Sequence, residues 1–340
     1  MELFSCFNSN KTYNFVIKKD NRRYIKVKAN RIVIIILIAV ALVPTKVRAQ
    51  YDVYFSHYFD MQTSFNPAAS GLFDKLNINA SYAMSMVGFE NSPKTAYVSA
   101  DMPFNALNTR NGVGVSFMSD KKGLFSRQQI NAQYSYQRKL WDGRLALGVQ
   151  AGLLSESFDG SKVDLEDTTD PAFSRSNVKG NSIDFGFGLH YSSELWYAGI
   201  SAQHLTSPTV ELGETNEITI DPTLYATGGY NFKMNNPLFS VATSAFVATD
   251  LVGYRGELSA RLIYTYEGRT MSAGLGYSPK NSTTIYLAGS FHGIMLGYSY
   301  DIYTSGISFE NGSHELFIGY QTDINFMPKG KNRHQSVRHL

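Results

Sequence analysis

The 340-residue chain contains one cysteine, Cys6, which excludes a disulfide scaffold and a paired-thiolate zinc site. Charge is also scarce. Asp, Glu, Lys and Arg together make up 17% of the chain, whereas an ordinary soluble domain carries about 25%. Long apolar runs are missing as well, the longest being the twelve residues 32–43. As a helix that run rises about 18 Å, short of a hydrocarbon core of about 30 Å. With a mean hydropathy of −0.20, a bundle of membrane helices is excluded. What the chain has in quantity is rings and glycine: 22 Tyr, 22 Phe and 28 Gly. So many aromatics argue against disorder, which goes with few rings and high net charge.

The formal charge of +3 is concentrated at the start of the chain. Residues 1–49 hold ten Lys and Arg against Glu2 and Asp20. A basic stretch, the apolar run 32–43, Pro44 and then Val47-Arg48-Ala49 follow the order of a secretory signal with a small-residue cleavage site. Residues 1–49 are expected to be a signal peptide. The rest of the chain carries 21 basic and 26 acidic residues, a net of −5, and no cysteine. Nucleic-acid binding by bulk charge has no support in such a chain.

From Leu76 onward the dominant period is two. In the run 314–326, Leu316, Ile318, Tyr320, Thr322, Ile324 and Phe326 share one face. Gly319, Gln321, Asp323 and Asn325 share the other, with Phe317 out of place among them. A strand between hydrocarbon and a polar lumen reads this way. About fourteen such runs follow one another: 76–83, 95–101, 111–118, 128–139, 143–154, 182–192, 195–204, 223–232, 238–247, 256–265, 269–277, 283–290, 293–300 and 314–326. Most approach the 9–11 residues that a tilted membrane strand needs. The connections alternate between short and long, as the two ends of an outer-membrane barrel do. The exceptions are a long link at 102–110 on the short side and a short one at 278–282 on the long side. The expected fold is all-β: a transmembrane antiparallel up-and-down barrel of about 14 strands over residues 76–326. Long loops are expected outside the cell and the N-terminus in the periplasm. Residues 50–75 precede the barrel as a ring-rich periplasmic arm or plug, and residues 327–340 form a basic periplasmic tail.

Sites of chemistry are sparse. No two of the seven histidines stand at i, i+2 or i, i+4, so neither a metal site nor a triad is indicated, and no enzymatic role, cofactor or metal is expected. The loop 155–181 gathers Glu156, Asp159, Asp164, Glu166, Asp167 and Asp170. It reads as a solvated acidic outer loop, with calcium binding as the alternative because the EF-hand order of ligands is absent.

Several blocks are similar to a known family. Phe55-Ser56-His57-Tyr58 with Asn66-Pro67-Ala68-Ala69-Ser70-Gly71 resembles the opening block of the PorP/SprF family, and Gly88-Phe89 with Ser92-Pro93-Lys94-Thr95 its next block. The run 143–152 (GRLALGVQAG) and Tyr197-Ala198-Gly199-Ile200-Ser201 with His204-Leu205 follow in order. Gly297-Tyr298-Ser299-Tyr300-Asp301 and Gly312-Ser313-His314-Glu315-Leu316 resemble its closing signature. The resemblance implies an outer-membrane barrel of the Bacteroidetes type IX secretion and gliding-motility machinery. Such a barrel would lie in outer-membrane lipid. It would bind or anchor secreted cargo, or a surface adhesin, through the cargo's C-terminal domain. Periplasmic ring proteins and a peptidoglycan-binding partner would meet it from within. On that basis Asn66, Pro67, Gly71, Gly88, Phe89, Pro93, Tyr298, Tyr300, Asp301, Gly312, Ser313, His314 and Glu315 are candidate partner contacts. The alternative is a passive porin or small-solute channel.

Overall fold

The computed structural model describes residues 52–106, 108–162, 177–213, 216–304 and 311–323. The leader 1–49, the basic tail 327–340 and four of the six carboxylates expected in the acidic loop (Asp164, Glu166, Asp167 and Asp170) lie outside these residues.

Sixteen strands follow in order: β1 (Leu76–Met84), β2 (Lys94–Ala106), β3 (Thr109–Lys122), β4 (Phe125–Leu140), β5 (Gly143–Asp159), β6 (Asn177–Ser192), β7 (Trp196–Gln203), β8 (Thr209–Leu212), β9 (Asn216–Thr219), β10 (Thr223–Lys233), β11 (Phe239–Thr249), β12 (Tyr254–Tyr266), β13 (Arg269–Ser278), β14 (Ser282–Phe291), β15 (Ile294–Tyr303) and β16 (Ser313–Thr322). Fourteen of them form one closed antiparallel barrel in which β1 pairs with both β2 and β16; β8 and β9 form a separate hairpin, so β7 pairs directly with β10. Closure leaves no exposed strand edge, the condition for a sheet to stand in lipid.

The polarity of the wall is inside-out compared with a soluble protein. Along β4, Gln129, Asn131, Gln133, Ser135 and Gln137 are buried, while Ile130 and Tyr134 are exposed. Along β5 the outward positions include Leu147, Val149 and Leu153, and along β6 Ile183, Phe185 and Phe187. At the short-turn end outward rings meet in pairs: Tyr191 with Trp196 at 5.0 Å, Tyr230 with Phe232 at 4.5 Å and Phe239 with Tyr264 at 5.1 Å. This is the aromatic girdle of a membrane interface.

The connections are more regular than the sequence pattern implied. The expected long link 102–110 contracts, because β2 and β3 pair through to Ala106↔Thr109. Pro103 lies beyond Asp101, the last residue of β2 paired with β1, where a missing N–H breaks no ladder bond on that side. On the opposite side the expected loop 119–127 shrinks to residues 123–124, with Gly123 at φ +62°. The polar residues before it continue β3, and buried Asp120 accepts from Thr95 Oγ1 at 2.7 Å. β5 and β6 likewise run well into the expected 155–181 loop, and β16 ends at Thr322, while residues 324–326 of the expected last strand lie outside the described residues.

The wall is therefore uneven. β3 to β6 have 14 to 17 residues, and β13 to β16 have 10 each. At about 3.3 Å per residue the longer strands rise past the apolar band at the long-loop end. There their outward residues turn polar: Ser126, Gln128, Ser155, Ser157, Asn177 and Lys179. On the inner side of this raised wall, Val210, Leu212 and Ile220 of the hairpin region pack against Leu154.

Candidate functional site: the segment inside the barrel

Residues 52–75 run through the interior of the barrel. Twenty residues of extended chain would reach about 70 Å, about twice the length of a ten-residue strand. The excess is taken up by a turn at 56–60 and two short 3-10 helices, Gln62–Ser64 and Pro67–Ala69.

At the long-loop end the segment starts in a charged clasp. Asp52 accepts from His204 Nε2 at 3.0 Å and from the Tyr225 hydroxyl, and lies 3.7 Å from Arg127. Asp184 holds the other His204 nitrogen at 2.9 Å, and Arg127 Nε donates to Glu156 at 3.0 Å. Glu156, read from sequence as an outer-loop acid, thus faces inward. Burial works against a charge on His204, but Asp52 and Asp184 override it and push its pKa up to about 10.

Below the clasp the segment meets β15 and β16. Glu315 accepts from the backbone N–H groups of Ser56 at 2.6 Å and His57 at 3.2 Å, and from His57 Nδ1 at 3.1 Å. Asp301 accepts from Ser56 Oγ at 3.1 Å and Thr284 Oγ1 at 2.7 Å. Phe317, the residue that broke the alternation, is fully buried and stacks on His57 at 5.5 Å. Two inner aromatic clusters complete the grip. Phe55 and Met61 pack with Tyr97, Met118 and Phe317. Tyr58, Phe59 and Phe65 pack with Tyr225, Phe246 and Tyr286.

Asn66 caps the second 3-10 helix. Its Oδ1 accepts from Ala68 N at 3.0 Å and its Nδ2 donates to the Leu189 carbonyl at 3.1 Å. The wall makes room with glycine. A Cβ on Gly188 would lie 2.0 Å from Asn66 Oδ1, and one on Gly148 would lie 2.1 Å from Ala68 N. Gly71, at φ +69°, donates its N–H to Asp101 at 2.8 Å. The segment leaves at the turn end, where the Leu72 carbonyl accepts from Arg110 and Arg144 and Asp74 pairs with Arg110.

The thirteen motif residues thus separate into two groups. Asn66, Pro67, Gly71, Asp301 and Glu315 belong to the inner grip. The others gather at the β1–β2 and β15–β16 connections. The Pro93 carbonyl accepts from Ser85 N at 2.9 Å. Ser313 Oγ accepts from Met86 N at 3.2 Å. Gly88, at φ +104°, faces Asn311, and Gly312 lies under the Tyr300 ring. Tyr298 meets His314 Nδ1 at 2.7 Å on the outer wall. Phe89 is exposed. Sequence reasoning missed Asp52, Arg127, Asp184, His204 and the inner rings Tyr97, Tyr225, Phe246 and Tyr286. The misplaced Phe317 was the one signal of an inner apolar cluster.

Toward the turn end the lumen retains a cavity of about 470 Å³, lined by Asp60, Gln62, Asn79, His190, Tyr197 and Arg261 among others.

An inside-out closed barrel of 14 strands with a ring girdle defines the class: an outer-membrane β-barrel protein. Residues 47–320 match the model of the type IX secretion system membrane protein PorP/SprF, and the chain belongs to that family. No curated protein matches the sequence. Among solved structures, the CymD monoaromatic hydrocarbon channel is 12% identical, with 82% of this chain and 95% of that one covered and a TM-score of 0.44. A Pseudomonas aeruginosa FadL homologue is 11% identical, with 76% and 93% covered and a TM-score of 0.45. The KdgM porin is 8% identical, with 72% and 99% covered and a TM-score of 0.34.

Proposed function

We propose that this chain is a non-enzymatic, non-conducting component of the type IX machinery that works by binding. In this reading the long loops face outward and hold or anchor secreted cargo, or a surface adhesin, through its C-terminal domain. The short turns face the periplasm, toward ring proteins and a peptidoglycan-binding partner, together with the basic tail 327–340. The observation that supports this reading is the occupied lumen. A solute channel needs its cross-section free, and here residues 52–71 take it, held by Glu315, Asp301, Asp52 and two aromatic clusters. The segment 50–75 then acts as a plug. Of the motif residues, Phe89 and the pair Tyr298–His314 would meet a partner in this reading, supported by the exposure of Phe89 and the outer-wall position of the pair. Gly88, Pro93, Tyr300, Gly312 and Ser313 shape that rim. The inner residues Asn66, Pro67, Gly71, Asp301 and Glu315 hold the plug on which it rests.

Two measurements test the reading. Planar-bilayer recordings of the purified barrel should show no porin-sized current, and loosening the plug by Glu315→Ala together with Phe317→Ala should produce one. Affinity purification from crosslinked outer membranes should recover cargo C-terminal domains and periplasmic ring components. A steady large current from the unaltered barrel, with no partner recovered, would establish the passive channel instead.

A further inference from the structure

The cavity toward the turn end has an ordered lining. On one side lie Phe59, Asp60 and Gln62 of the inner segment; on the other it reaches Ser193 and Gly293, in two of the short turns. The inner segment thus stands between this recess and the long-loop end. Four polar side chains of the wall line it, Asn79, His190, Tyr197 and Arg261. Each is paired across the sheet with a glycine: Gly319, Gly199, Gly229 and Gly274 in turn. A Cβ on these glycines would stand 3.4 Å from Asn79 Oδ1, 3.2 Å from His190 Cδ2, 2.4 Å from Tyr197 Cε1 and 2.6 Å from Arg261 Cγ. The four side chains therefore lie along the wall over their glycine neighbours, and the space between them stays open. Glycine in a strand interior is found where another group must come close to the sheet.

Hydrogen bonding inside the recess is incomplete. Asn79 and His190 are 3% and 2% exposed. Gln62 Oε1 meets His190 Nε2 at 2.9 Å. Asn79 Nδ2, His190 Nδ1 and Arg261 Nε have no hydrogen-bond partner among the described residues, whereas buried polar groups are normally satisfied. The formal charges balance: Arg261 faces Asp60 at 3.6 Å and lies over the Phe59 ring at 3.3 Å. An ion of either sign would therefore meet a like charge beside its counterion. An uncharged molecule with several hydroxyl groups would instead find donors and acceptors, with apolar surface from Phe59, Tyr197 and Met295 between them. The volume of about 470 Å³ falls within the range of small-molecule sites, about 300–1,000 Å³. We propose that this recess binds a small neutral polyhydroxylated molecule, a sugar of one or two rings, which enters from the turn end. Asn79, His190 and Arg261 hold it, and the inner segment keeps it from crossing the barrel.

The test is calorimetric titration of the purified protein in an amine-oxide detergent, whose headgroup is not itself a sugar. Glucose, N-acetylglucosamine and maltose are the probes, with glucuronate and glucosamine as charged counterparts. At least one neutral sugar should bind in the millimolar range or tighter, one molecule per barrel, and more tightly than either charged compound. Asn79→Leu removes an unpartnered donor at nearly constant volume. It should weaken binding about tenfold, the size of one lost hydrogen bond. The urea midpoint should stay or rise, because an unsatisfied buried amide leaves the fold; a purely structural Asn79 would lower it. If the barrel, shown to be folded by heat-modifiable gel migration, binds no neutral sugar, the recess holds water only and the proposal is overturned. Tighter binding of glucuronate or glucosamine, or unchanged affinity in Asn79→Leu, would overturn it too. Should that variant fail to fold, a diazirine-bearing form of the bound sugar is photolysed on the unaltered barrel. Crosslinks at residues 59–62, 79, 190 or 261 support the site; crosslinks confined to the loops or the outer wall overturn it. None of these readouts depends on which face of the membrane the short turns meet.

Discussion

The glycine cradle makes a prediction that depends on both of its halves. Substituting Gly188→Ala adds a methyl group 2.0 Å from Asn66 Oδ1, 3.0 Å from its Cγ and 3.1 Å from Pro67 Cδ. Overpacking of this kind costs about 1–3 kcal/mol, offset by about 0.5–1 kcal/mol because a strand glycine is entropically unfavourable. Asn66→Ala removes a helix cap, at about 1 kcal/mol, and the hydrogen bond to the Leu189 carbonyl, at about another 1 kcal/mol. In the double variant the atom that clashes is gone. The combined loss should therefore be smaller than the sum of the single losses by about 1 kcal/mol or more, a coupling typical of residues in contact. Urea titration of the barrel refolded in lipid vesicles, followed by heat-modifiable migration and by Trp fluorescence, gives the four free energies. Additivity to within about 0.3–0.5 kcal/mol would refute the reasoning, because it would mean that Asn66 and Gly188 do not share a site.

Other outcomes follow from the same geometry. Phe317→Ala removes a fully buried ring and should cost about 3–5 kcal/mol, while Phe117→Ala, on the lipid side and 41% exposed, should cost clearly less in the same titration. Glu315→Gln weakens a carboxylate that accepts two backbone N–H bonds, and a loss of about 1.5–3 kcal/mol should appear with faster hydrogen exchange at Ser56 and His57. His204 is held up to about pKa 10 against about 6.5 in the unfolded chain. Its ion pairs should contribute fully below about pH 6.5 and be lost as pH rises through about 10. His204→Gln should flatten the urea midpoint across that window; an unchanged slope would remove the clasp from the account.

The fold was legible because lipid and lumen impose opposite chemistries on alternate residues, and β16 shows both in ten positions. Strand ends were less so. Ser119, Asp120 and Lys121 read as loop because charge beside an apolar run normally ends a strand, yet above the membrane both faces of β3 can be polar. Pro103 shows a related effect: its cost depends on whether a neighbour needs its N–H, and the neighbour's length is not visible locally. The inner segment was legible only in outline. Its rings mark it as apolar, but whether they lie inside the barrel or beneath it is decided by Tyr97, Tyr225, Phe246, Tyr286 and Phe317, spread over five strands. Gly148 of β5 and Gly188 of β6 are the floor on which Asn66, Pro67 and Ala68 rest, a role that no local pattern marks. The charged clasp draws on Asp52, Arg127, Glu156, Asp184 and His204, which no local spacing connects.

Glu315 and Phe317 sit on the strand that closes the ring against β1, and both grip residues near the beginning of the chain. The final strand therefore does two jobs in one movement: it seals the wall and captures the thread. A barrel that zipped shut on an empty lumen would enclose an unpaired carboxylate and an unmatched ring on its last strand. A chain cut short before residue 313 would leave the seam open and the backbone N–H groups of Ser56 and His57 without the Glu315 acceptor. Closure of the wall and filling of the lumen therefore share the same residues: the strand that pairs with β1 also supplies the acceptor and the ring that hold Ser56 and His57.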